Sequence, residues 1–89
     1  MKTFKDLEFE IINDGFMTGK KSTIHFDNGY GASVVTHTLS YGGKLGLYEL
    51  NVLKDDEFHY DNPVAGGDVR GFLTEDIVTE LLIQIQNFK

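Results

Sequence analysis

The sequence predicts an α+β fold: an antiparallel meander of four to five strands with one C-terminal helix packed on the sheet. Three observations carry that prediction. Apolar and polar residues alternate with a period of two in several short runs, as half-buried strands require. Asn28-Gly29 sits between two such runs, and Asn-Gly there is the strongest short-range signal for a hairpin. Near the C-terminus the period lengthens to that of a helix, with Ile77, Leu81 and Ile85 spaced four apart.

The first strand is predicted at 6–13, where Leu7, Phe9 and Ile11 alternate with Glu8 and Glu10. Residues 14–20 carry Gly15 and Gly19 and read as a hairpin loop with two positive-φ glycines. The second strand is predicted at 21–27, with Ile24 and Phe26 on one face. A two-residue Asn28-Gly29 turn would set His25 opposite Ala32 and put His25 and His37 on opposite faces of the sheet. The third strand runs from Tyr30 to about Leu39 and is rich in β-branched residues. A glycine-rich loop at 40–46 separates it from a fourth strand at 47–53. Lys54-Asp55-Asp56-Glu57 reads as a charged turn, Phe58-His59-Tyr60 as a short fifth strand, and Asp61-Asn62-Pro63 as a turn or edge. Residues 64–72, with three glycines, read as irregular. Thr74 is placed to cap a helix at 75–88, with Glu75 and Asp76 at the positive end of its dipole. Val78, Leu82 and Phe88 widen the apolar stripe of Ile77, Leu81 and Ile85, and Ile83 falls off it. Strand parity turns Leu7, Phe9, Ile11, Ile24, Phe26, Leu50 and Val52 inward.

Composition bounds the chemistry. The 89 residues make one small domain, 1–89, with 40% apolar and 12% aromatic residues, too rich in core formers to be disordered. The lack of cysteine excludes disulfides, thiolate nucleophiles, iron–sulfur clusters and Cys-ligated zinc. Eight basic residues stand against 14 acidic ones, a net charge of −6, so there is no footprint for direct nucleic-acid binding. No apolar run approaches a membrane span. The first residues, Met1 to Asp6, lack the apolar stretch of a signal peptide, so a cytoplasmic location is expected.

Several chemical motifs fail on spacing. Gly15-Phe16-Met17-Thr18-Gly19-Lys20-Lys21-Ser22 looks like a phosphate-binding loop, but only three residues separate its glycines and a strand follows where the motif needs a helix. The acidic stretch around His59 lacks the spacing of a calcium loop. No pair of carboxylates is singled out for acid–base work, and Ser33 lacks a nucleophile-elbow pattern. The expectation is a protein that is not an enzyme and holds no cofactor or metal.

Apolar residues in loops are the more useful signal. Phe16 and Met17 lie in the first loop, Tyr41 and Leu45 in the glycine-rich one, and such groups serve as anchors for a protein partner. Glu8, Glu10 and Glu49 are expected to form a carboxylate row on the outer sheet face, matching a basic partner. An alternative gives the glycine loops at 40–46 and 64–71 a small anionic ligand such as a nucleotide, with Lys44 and Arg70 as its cations. A homodimer formed through exposed sheet edges, with Ile83 contributing, is a third option.

Three segments resemble a group of small uncharacterised bacteriophage and prophage proteins. They are the run from Phe26 to Val35 around Asn28-Gly29, the run Gly46 to Leu53, and the run Leu73 to Glu80. The resemblance implies an accessory protein of a phage or prophage, acting in the cytoplasm of a bacterial host. It brings no activity and no catalytic residues. By analogy it implies stoichiometric binding to a host protein, as an inhibitor of a defence complex or of a basic nucleic-acid-handling protein.

Overall fold

The computed structural model describes residues 1–13, 15–16, 18–37, 45–59 and 70–88. Its strands are β1 (Glu10–Asn13), β2 (Thr18–His25), β3 (Tyr30–His37), β4 (Tyr48–Lys54), β5 (Glu57–Phe58) and β6 (Arg70–Leu73), followed by α1 (Glu75–Gln86). All pairings are antiparallel. The meander β1-β2-β3-β4-β5 matches the predicted order, and β6 joins β4 on the same side as β5. The sheet with a C-terminal helix packed on it is the α+β architecture that the sequence predicts. β6 is the addition, formed by residues read as irregular.

The helix covers one sheet face because the sequence puts an apolar stripe on each. Ala32, Val34, Tyr48, Leu50, Val52 and Leu73 of the sheet meet Val78, Leu81, Leu82 and Ile85 of α1 in one buried cluster with Leu7. Ile77, expected in that stripe, is 36% exposed. Thr74 caps the helix as predicted, its hydroxyl accepting from the Ile77 N–H at 3.3 Å.

The N-terminal segment differs from the predicted strand. Phe4–Asp6 form one turn of 3-10 helix, and the ladder starts only at Glu10. The segment is tied to α1 instead: the Phe4 N–H donates to the Thr79 hydroxyl at 3.0 Å, and Lys2 exchanges two bonds with the Gln86 amide. Leu7 and Phe9 still point inward, which is why they mimic a strand's alternation. Phe4, Phe9 and Tyr48 pack with ring centroids 5.2–5.9 Å apart, and the Lys20 ammonium lies 4.8 Å from the Phe9 ring. Ile11 breaks the inward list. It pairs with Lys20 on the helix side of the sheet but is 80% exposed, because it lies on the edge strand and no helix packs over it.

The β2–β3 hairpin corrects the predicted register by one residue. His25 pairs with Gly31 and Ile24 with Ala32. The Phe26 N–H donates to the Tyr30 carbonyl at 2.8 Å, closing a three-residue loop of Asp27-Asn28-Gly29 with Gly29 at φ 87°. The extra residue frees Asn28 from a simple turn role. Its Oδ1 accepts from the Tyr30 N–H, and its Nδ2 donates to the carbonyls of Ile85, Gln86 and Phe88 at 2.9, 3.3 and 3.1 Å. Those carbonyls lie at the C-terminal end of α1, where backbone acceptors lack intrahelical partners. The type I′ turn occurs instead at Asp55-Asp56, both at positive φ, joining β4 to β5.

Gly15 is at φ 90°, as expected. Gly19 is not at positive φ; it lies in β2, where an added Cβ would collide with the Thr36 carbonyl oxygen. A close approach of strands, rather than a turn, demands glycine there.

Candidate functional site

Strand directions sort the connections between two ends of the sheet. β1 and β3 finish, and β2 and β4 begin, at the end where β6 delivers the chain to α1. The opposite end holds the Asp27–Gly29 loop, the Asp55-Asp56 turn and the C-terminus of α1.

Among the described residues, the exposed large apolar side chains are Met1, Ile11, Phe16, Leu45, Phe58, Phe72 and Ile77. Five of them belong to the end where α1 begins. Ile11 is on β1 next to the first loop, and Phe16 in that loop is 88% exposed. Leu45, 73% exposed, precedes β4, while Phe72 is the penultimate residue of β6 and Ile77 is in the first turn of α1. They are spread across the width of the sheet, from the β1 edge to β6 and the first turn of α1, and large apolar groups exposed at one end of a small protein are candidates for contact with a partner.

Phe72 has a second peculiarity. Leu73 pairs with Tyr48, but Arg70 pairs with Leu50, so Gly71 and Phe72 together oppose Glu49 in a bulge. Phe72 takes the left-handed position, φ 58°. A side chain with a Cβ pays about 1–2 kcal/mol there, which glycine avoids. Phe72 is nevertheless 58% exposed.

The carboxylates expected in a row are placed differently from one another. Glu8 is exposed but precedes the ladder, and Glu10 is exposed on β1. Glu10, Lys21, Val35 and Glu49 lie side by side across four strands on the face opposite α1. Glu10 and Glu49 are therefore three strand spacings apart, about 14 Å, with a lysine between. Glu8, Phe9, Glu10, Lys21 and Thr23 line an open cleft at the β1 edge. Of the other candidates, Met17, Tyr41 and Lys44 lie outside the described residues. Arg70 is exposed and starts β6, so it belongs to a strand rather than to a glycine loop.

Ionisable clusters are sparse. Among the described residues no three His, Asp or Glu side chains are grouped to hold a metal. The shifted register puts His25 and His37 on the same face, but six residues apart along the ladder, about 20 Å. His25 instead lies 3.1 Å from Asp56, with both side chains mostly exposed. Asp6 is held below its ordinary range. The Thr3 backbone N–H, donating to its carboxylate at 2.8 Å, lowers its pKa, aided by the positive charge of Lys2. This is a feature of the 3-10 turn rather than of a site.

Phe16 and Leu45 were legible as apolar residues in loops. Ile11 and Phe72 were not, because the first sits in a strand pattern and the second in a glycine-rich stretch. The signal available for Phe72 was its place just before Leu73 and the Thr74 cap, which marks an ordered approach to the helix.

Comparison of the chain with family models, with curated proteins and with solved structures returns no match. No described helix is long and apolar enough to cross a membrane.

Proposed function

We propose that this chain is a non-enzymatic binding protein that docks on a partner protein through the end of the sheet where α1 begins. The observation that carries the reading is that Ile11, Phe16, Leu45, Phe72 and Ile77, five of the seven exposed large apolar side chains among the described residues, all belong to that end. Desolvating such a patch favours association, and aromatic members are the usual hot spots. The surrounding charge sets the partner's chemistry. Glu75 and Asp76 in the first turn of α1 and Glu10 on β1 are exposed toward this end of a chain of net charge −6, which favours a partner with a basic surface. Resemblance to small phage and prophage accessory proteins supports a bacterial host as the source of that partner, and inhibition of a nucleic-acid-handling or defence protein as the outcome.

The test is retention of host proteins from lysate by the immobilised chain, at about 0.1 M and about 0.5 M salt. One stoichiometric partner is expected at both, because the apolar contact survives screening. Partners seen only at the lower salt, or none, would remove the reading.

A further inference from the structure

Within that proposed surface, we infer that Phe72 is the anchor, the side chain that enters an apolar socket of the partner. The inference rests on the binding reading above and adds an observation that exposure alone does not supply. At the bulge opposite Glu49 one residue takes the left-handed conformation, which glycine would adopt without strain. Phe72 adopts it at φ 58° and is 58% exposed. A left-handed conformation held by an exposed non-glycine residue is the kind of strain found at ligand contacts. The bulge also aims a residue away from the regular pleat at the sheet margin, where a partner can reach it.

The neighbours define the socket. Glu75 and Asp76 are exposed three and four residues on, in a chain of net charge −6. An apolar pocket bordered by lysine or arginine side chains is the complement. A second copy of this chain would bring like charges together around the same ring, which argues against self-association here.

The experiment compares the full-length wild type with Phe72→Gly and Phe72→Tyr. Each is melted, sedimented at several concentrations, and titrated against the host protein that the wild type retains. Phe72→Gly is expected to melt higher, by up to roughly 4–8 °C if the strain is fully relieved, and to bind at least about tenfold more weakly. Phe72→Tyr is expected to bind like the wild type. A glycine variant that melts lower shows the ring to be part of the fold and overturns the inference. So does one that is more stable yet binds unchanged, and in that case the binding surface itself stands. A wild-type dimer that becomes monomeric in Phe72→Gly makes a second copy the occupant. A wild type that retains no host protein removes the parent reading, and the anchor with it.

Discussion

Asn28→Asp and Asn28→Ala separate what this side chain does for the loop from what it does for the helix. Aspartate keeps an oxygen for the Tyr30 N–H and is as favourable in turns as asparagine. It loses the amide that serves the carbonyls of Ile85, Gln86 and Phe88, and adds a negative charge at the negative end of the helix dipole. We expect Asn28→Asp to cost about 2 kcal/mol or more, at least as much as Asn28→Ala, in urea denaturation at neutral pH. A near-neutral aspartate would return Asn28 to a turn role alone. Only the turn was legible in the sequence, because a bond to residues nearly sixty positions away leaves no local pattern. A smaller effect concerns Asp6, whose pKa is lowered in the fold by the Thr3 N–H. A lowered carboxylate contributes stability above its ordinary range, and the contribution is lost as pH falls through the folded value. The melting difference between wild type and Asp6→Asn is therefore expected to close below about pH 4. A difference that stays constant across acid pH would contradict the assignment.

Among the elements, the two inner hairpins exchange the turn types that their sequences suggest. Asn28-Gly29, the preferred pair for a type I′ turn, is drawn into a three-residue loop by the helix contact. Asp55-Asp56 forms the type I′ turn with two non-glycine residues at φ 52° and 69°. Replacing them by Asn-Gly should stabilise the protein by about 1 kcal/mol. The exposed His25–Asp56 pair that is lost contributes little. An unchanged or lower denaturation midpoint would count against the turn assignment. Strand identity was legible for β2, β3 and β4, where alternation coincides with the buried face. The register was not, because one loop residue more or less leaves the alternation intact while changing every partner. β6 was hidden because a glycine-rich approach dilutes its pattern. The expected strand at 6–13 was overcalled because Leu7 and Phe9 bury themselves by lying against α1 and Tyr48 rather than by pairing.

At the scale of the whole molecule, the two ends of the sheet differ in kind. One is closed by polar contacts: Asn28 on the helix end, Asp55 N–H on the Gly29 carbonyl, His25 beside Asp56. The other carries five of the seven exposed large apolar side chains among the described residues. This polarity follows from topology, since the same end receives the first loop, the approach to β4 and the start of α1. Loop aromatics were readable from sequence as candidates, but their gathering at one end required the strand directions. Phe58, 55% exposed beside the Asp55-Asp56 turn, supplies an internal control at the far end. The most direct measurement is partner retention at about 0.5 M salt by three chains: wild type, Phe16→Ser with Leu45→Ser, and Phe58→Ser. The account predicts that the double variant loses the partner while folding normally, and that Phe58→Ser keeps it. Loss in Phe58→Ser with retention by the double variant would place binding at the other end and contradict the account.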